Sequence, residues 1–89
     1  MDFEWHDLKA EANLKKHGID FADAISIFTG PMLELRSDRT REERWKAIGL
    51  MGGIEIAIIY TPRGKYRRII SARRAQKNER QAYYEAFAR

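Results

Sequence analysis

The chain has no cysteine. That absence removes disulfide stapling, thiolate nucleophiles and thiolate metal ligation together. Proline and glycine are scarce, with 2 and 6 residues in a chain of 89, so no linker or low-complexity tract divides it. The glycine-rich loops that cradle nucleotide phosphates are missing as well. The longest strongly apolar run, residues 56–60, falls far short of the about 20 residues that span a bilayer as a helix. The opening Met1-Asp2-Phe3-Glu4-Trp5-His6-Asp7 has neither a basic nor an apolar leader region, and a cytoplasmic location is expected. His6 and His17 are too far apart for an i, i+4 metal pair, and no Asp/Glu/His set completes one. No metal and no cofactor is assigned. Ser26, Ser37 and Ser71 sit in no Gly-x-Ser-x-Gly elbow, which sets aside a nucleophilic triad.

What is present fits one soluble domain over residues 1–89. Hydrophobic residues make up 44% and charged ones 34%, too apolar for a disordered tail and too charged for a membrane span. A chain of this size hides about 60–65% of its unfolded surface, enough for a thin core but not for a large cofactor cavity. The net charge of +4 is unevenly spread. Residues 1–60 hold 8 Lys/Arg against 11 Asp/Glu, a net −3, and residues 61–89 hold 9 against 2, a net +7. Such a segregated cationic segment points to a polyanion or an acidic protein as partner.

Local chemistry marks the elements. Residues 7–17 favour helix, with Lys15, Lys16 and His17 near the C-terminal dipole and Gly18 to close it. Asp20 then caps a second helix whose Phe21, Ala24, Ile25 and Phe28 recur at i, i+3, i+4, i+7. Strands are expected at residues 32–36, 44–51, 54–60 and 66–72, with a polar loop at 37–41, a Gly52-Gly53 turn and a connection at 61–65. Their short links favour an antiparallel meander with residues 54–60 central. A helix over residues 76–88 follows, with Tyr83, Ala86 and Phe87 able to pack on the sheet. The expected class is α+β: two N-terminal helices, a four-stranded antiparallel sheet and a C-terminal helix, with room for a short extra strand around residues 3–5.

The fourth strand carries the densest charge. Strict alternation puts Tyr66, Arg68, Ile70 and Ala72 on one face and Arg67, Ile69, Ser71 and Arg73 on the other. Continued into the last helix, Arg73, Lys77, Arg80 and Tyr84 fall at i, i+4, i+7 and i+11, a cationic stripe ending in an aromatic ring. That pattern suits a phosphodiester backbone and an unpaired base. Glu79 is either an ion partner within the helix or a carboxylate near the basic groove. Trp5 and Trp45 read as packing. The chemistry left open needs only placed cations and a proton acceptor. Attack by RNA's own 2′-hydroxyl is such a reaction, because the substrate supplies the nucleophile and cations need only stabilise the phosphorane. A non-catalytic nucleic-acid-binding module, or a dock for an acidic protein segment, fits the same charge pattern.

Several segments together resemble one family. Phe3-Glu4-Trp5, Lys9, Asn13, Lys16-His17-Gly18-Ile19, Phe21 and Ala24 are similar to the opening of the BrnT toxins. Glu43-Arg44-Trp45, Ile48-Gly49 and Arg68-Ile69-Ile70-Ser71-Ala72-Arg73-Arg74-Ala75, followed by Glu79-Arg80 and Tyr84, continue the likeness. Where the family usually has Trp-Asp, this chain has Trp5-His6-Asp7, a change at the start of the first helix. The resemblance implies a RelE-like ribonuclease of a type II toxin–antitoxin system that inhibits translation. It also implies neutralisation by a BrnA-like ribbon-helix-helix antitoxin, which reads operator DNA so that the complex represses its own operon. The implied activity maps best onto Arg44 and Arg73, with Arg68, Glu79 and Arg80 also matching. The expected roles follow: Arg44 and Arg73 hold the scissile phosphate, Arg80 holds a neighbouring one, and Glu79 or Tyr84 handles protons. Arg68, Arg74, Lys77 and Tyr84 are expected to contact RNA.

Overall fold

In the computed structural model, which describes residues 2–87, the first helix, α1 (Asp7–His17), starts where His6 accepts the Leu8 N–H on Nδ1 at 3.2 Å. The histidine between Trp5 and Asp7 therefore does the capping. The helix ends at Gly18, whose φ of 72° lets its N–H close on the Leu14 carbonyl. Asp20 accepts the Ala22 N–H and opens α2 (Phe21–Ala24). After one turn this helix tightens into a 3-10 segment over Ile25–Thr29. Phe21, Ala24 and Ile27 are the residues buried there. Their spacing of three is the period of a 3-10 helix, so Ile27 replaces the expected Ile25 and Phe28 as the deepest side chain.

Among the described residues the sheet has the four expected strands and the short extra one near the N-terminus, which makes it mixed rather than wholly antiparallel. They are β1 (Asp2–Glu4), β2 (Leu33–Arg36), β3 (Trp45–Met51), β4 (Ile54–Arg63) and β5 (Tyr66–Arg74), in the order β1-β5-β4-β3-β2. Strands β2 to β5 form the expected antiparallel meander, while β1 runs parallel to β5. The connection from β1 crosses through α1, α2 and the rest of the sheet, which is what parallel pairing requires. β4 continues through Thr61, Pro62 and Arg63, so only residues 64–65 make the turn into β5.

Between β4 and β5 the register slips: Ile59 faces Ser71, but Tyr60 faces Ile69. Ile70 is thus an extra residue, a bulge, and everything after it changes side. Arg67, Ile69 and Ala72 share the face that α1 and α2 cover. Ile69 and Ala72 join Phe21, Ile27, Ile56 and Ile58 in the main core, and the Arg67 guanidinium lies 4.5 Å from the centre of the Phe28 ring. Ser71 and Arg73 turn to the opposite face. Strict alternation had grouped Arg67 and Ile69 with them, and the bulge is what separates the two pairs. Gly49 of β3 belongs to the main-core face, where a Cβ would stand 2.9 Å from the Ile27 Cβ. Close approach of the 3-10 segment to the sheet is the reason for glycine there.

The other face carries α3 (Lys77–Phe87) over a smaller cluster of Ile48, Ala57, Ala75 and Tyr83. Helices therefore cover both sides of the sheet. Tyr83 packs as expected, and its hydroxyl donates to the Pro31 carbonyl. Ala86 and Phe87 are exposed, and Ala88, the expected helix end, lies outside the described residues.

One polar side chain joins α1 to the sheet. β1 stops pairing at Arg68, leaving the later part of β5 without a strand on that edge among the described residues, and buried Asn13 takes that place. Its Nδ2 donates to the Ala72 and Ile19 carbonyls at 2.9 and 3.0 Å, and its Oδ1 accepts the Ala72 N–H at 3.1 Å. Asn13→Leu, similar in shape, would leave these buried backbone groups unpartnered at about 1–3 kcal/mol each. A loss of about 3 kcal/mol or more is expected, read as a fall in Tm of about 10 °C or more for a chain of this length. An unchanged Tm would show that the amide does not hold the edge.

Candidate active site

The bulge at Ile70 builds a hollow. With Ser71 and Arg73 turned to the α3 side, they join Lys46 of β3, and the loop of residues 37–44 closes over them with Arg39 and Arg44. The resulting hollow, of about 280 Å³, is lined by these five residues together with Ser37, Ile59 and Ile70. The loop is more ordered than its polar composition suggests. The Ser37 N–H donates to the Arg44 carbonyl, Arg39 and Glu42 exchange backbone bonds, and Asp38 accepts the Arg44 N–H at 3.1 Å. Arg44 thus stands just ahead of β3 with its backbone fixed at both ends. Its Nε donates to the Glu42 carboxylate.

Glu79, in the first turn of α3, secures the back of the hollow. It is only 2% exposed, yet charged, because every side of the carboxylate is met. Arg73 donates to both oxygens at 2.8 and 2.9 Å, the Lys46 ammonium lies 2.7 Å away, and the Gln76 N–H donates at 2.7 Å. Burial by itself would push the Glu79 carboxyl up. The Arg73 fork, the Gln76 N–H and Lys46 more than offset that and hold it at about 2. Reciprocally, the bond to Glu79 raises Arg73 further above its ordinary range. The sequence left two roles open for Glu79, an ion partner within the helix or a carboxylate near the basic groove; its ion partners are Arg73 on β5 and Lys46 on β3, not residues of α3, and they set it against the basic hollow. Arg44, Lys46 and Arg73 are each paired but not buried, with side chains 22–24% exposed, so they can still meet a ligand from the open side.

The stripe expected from Arg73 through Lys77 and Arg80 to Tyr84 does not form. Arg73 belongs to β5, and α3 begins only at Lys77, so helical spacing does not relate them. Lys77, Arg80 and Tyr84 line a different hollow of about 700 Å³, shared with Glu55. Glu79 reaches Lys46 at one end of β3, whereas Tyr84 reaches Glu55, which pairs with Leu50 near the other end. The two hollows therefore flank α3. Arg80 donates to the Ala75 carbonyl at 2.7 Å, and the Tyr84 hydroxyl donates to Glu55 at 2.6 Å. That bond raises the tyrosine and lowers the carboxylate. Arg68 is paired with Glu4 at 2.9 Å across the β1–β5 edge, and Arg74 is exposed. Of the eight expected site residues, the fold brings together Arg44, Arg73 and Glu79. Lys46, Arg39, Ser37 and Ser71 join them without having been expected. Lys46 had a readable signal, since it alternates with Trp45 and Ala47 and is the one cation inside the strand.

Among the described residues no group of three or more His, Asp or Glu side chains could hold a metal ion, and no helix is long and apolar enough to cross a membrane.

The model of a family described as "Ribonuclease toxin, BrnT, of type II toxin-antitoxin system" matches residues 5–79. The chain belongs to the BrnT family. No curated protein matches it. The BrnT match takes in Arg39, Arg44, Lys46, Ser71 and Arg73 and ends at Glu79, whereas Arg80 and Tyr84 lie beyond it. Ribonuclease function and membership of a type II toxin–antitoxin system come with the BrnT family, and a ribonuclease needs fixed positive charge around one phosphorus atom.

Proposed function

We propose that this BrnT toxin is a metal-independent endoribonuclease whose active site is the hollow between residues 37–44, β3 and β5. The supporting observation is convergence: Arg39, Arg44, Lys46 and Arg73, drawn from three separate segments, line one open polar hollow. Arg44 and Arg73 hold the non-bridging oxygens of the scissile phosphate. The 2′-oxygen of the preceding ribose attacks phosphorus, the P–O5′ bond breaks, and the products are a 2′,3′-cyclic phosphate and a 5′-hydroxyl. Cations stabilise the extra charge of the phosphorane. Arginine keeps its proton at any workable pH, and Glu79 is held ionised by four donated bonds. Glu79 is thus a positioning residue that sets Arg73 and Lys46, and Tyr84, bonded to Glu55 across α3, takes no part. The 2′-hydroxyl proton passes to water, which the open hollow admits, and the 5′-oxygen is protonated from water. Arg68, Arg74, Lys77 and Arg80 lie outside the hollow and have no catalytic role in this reading.

The remaining elements of the proposal follow the BrnT assignment. The fold is read as RelE-like, the protein acts in the cytoplasm, and RNA cleavage inhibits translation. Its antitoxin is of the BrnA-like ribbon-helix-helix kind, binds operator DNA, and neutralises the toxin by setting acidic groups against the same cations. Purified protein mixed with end-labelled RNA in excess EDTA is expected to give shortened products ending in cyclic phosphate. A shifted but intact RNA band would favour a binding module, and loss of cleavage on chelation would overturn metal independence.

A further inference from the structure

The hollow holding Arg44 and Arg73 has a neighbour at the β5 edge. A second hollow, of about 210 Å³, shares Ile70 and Ser71 with it and has Lys9, Asn13, Lys16 and His17 of α1 as its other wall. Two features of the fold shape this edge. β1 pairs with β5 no further than Arg68, so among the described residues no strand covers the edge at Ile70 and Ser71. The bulge places its extra residue at that same point. Lys9, Asn13 and Lys16 follow at i, i+4 and i+7, on one face of α1. Asn13 is bonded to Ala72, so that face is turned to β5 and the two lysines stand on either side of the bond, about 10 Å apart along the helix.

The charges on the two walls are differently engaged. In the first hollow Arg44, Lys46 and Arg73 each have a carboxylate partner, and Arg39 alone has none among the described residues. Among the described residues, Lys9, Lys16 and His17 have none within ion-pair distance. Lys9 and Lys16 are exposed. Cations without an internal partner, lining a concave surface beside a phosphate site, are placed to meet further phosphates of the same strand.

We propose that the α1 wall is a backbone-binding subsite of the ribonuclease, so that single-stranded RNA passes from Arg44 and Arg73 over Ser71 at the β5 edge to Lys9 and Lys16. This rests on the active-site reading above. The groove then extends a site for one phosphate into a track for several, and longer RNA gains affinity from the α1 end.

The test is binding of a 2′-O-methylated, uncleavable RNA decamer and trimer across a salt series, using wild-type protein and the Lys9→Ala/Lys16→Ala double variant. Lys15→Ala, one residue from Lys16 and outside the hollow, is the control. The double variant is expected to lose roughly 10-fold in decamer affinity. Its plot of log K against log salt should flatten by about 0.7 for each phosphate that the protein no longer neutralises, with little change for the trimer. Lys15→Ala should match wild type. A loss in Lys15→Ala of half or more of the double variant's on a log scale, one charge removed against two, would reduce the effect to net charge and overturn the track, as would an unchanged decamer slope. Absence of RNA cleavage by wild-type protein would overturn the active-site reading instead, and the binding series would still decide the track.

Discussion

Arg44→Ala should slow RNA cleavage by about 10²-fold to 10³-fold, the effect of removing one pre-set donor from a developing oxyanion, while leaving Tm within a few degrees of wild type. Its ion-pair partner is Glu42, whose side chain is 44% exposed, and an exposed pair contributes about 0–1 kcal/mol. Arg73→Ala should slow cleavage at least as much, but it also strips two bonds from the buried Glu79 carboxylate and must lower stability too. Arg44 is therefore the cleaner probe. Arg73→Lys divides the two functions of Arg73: it keeps the charge beside Glu79 and loses the planar fork. Single-turnover rates measured with Tm for each variant check the set. A rate for Arg44→Ala within threefold of wild type would take the scissile phosphate out of this hollow.

The elements that could be read ahead of the structure are those written in local chemistry. Gly18 closes a helix with a positive φ, Asp20 opens the next one through its own carboxylate, and Gly52 and Gly53 both take positive φ in the β3–β4 turn. Three features have no such local mark. A short strand around residues 3–5 is readable, but the parallel place of β1 beside β5 comes only from pairing with a strand more than sixty residues away. Pro62 reads as a break, yet it sits in β4 opposite Arg67, close to the turn, where proline is tolerated. The bulge at Ile70 is invisible because Ile69-Ile70 fits an alternating strand equally well with or without an extra residue.

That last omission decides how much of the site could be read. Arg44, Arg73 and Glu79 are recognisable as charged residues in the right segments, but the face that Arg73 occupies, and so its meeting with Lys46 and Glu79, depends on the bulge. Shifting the strand by one residue moves Ser71 and Arg73 together with Lys46 and away from Ile69. The helical stripe fails for a related reason. Periodicity is informative only inside one element, and residues 75–76 separate β5 from α3, so Arg73 never enters the count. Arg80 and Tyr84 keep their helical spacing and face the other side.

Glu79→Ala should destabilise the protein by about 2–3 kcal/mol, because it leaves Arg73 and Lys46 side by side with no counter-charge and the Gln76 N–H without its acceptor, while water in the hollow screens the two partly exposed cations. The same carboxylate sets a pH dependence whose sign follows from its direction of shift. Glu79 is held at about 2 when folded and titrates near its ordinary 4.5 when unfolded. Its contribution is therefore present above about pH 4.5 and is lost as pH falls towards 2. Allowing for screening by water in the adjoining hollow, that contribution is roughly 2 kcal/mol. Glu79→Gln isolates it, since the amide keeps the shape and removes the titration. Urea unfolding of the two proteins at steps between about pH 7 and pH 2 is expected to show wild type ahead at neutral pH and the gap closing below about pH 4.5. Parallel curves over that range would mean that the Glu79 charge does not hold Arg73 and Lys46 in place.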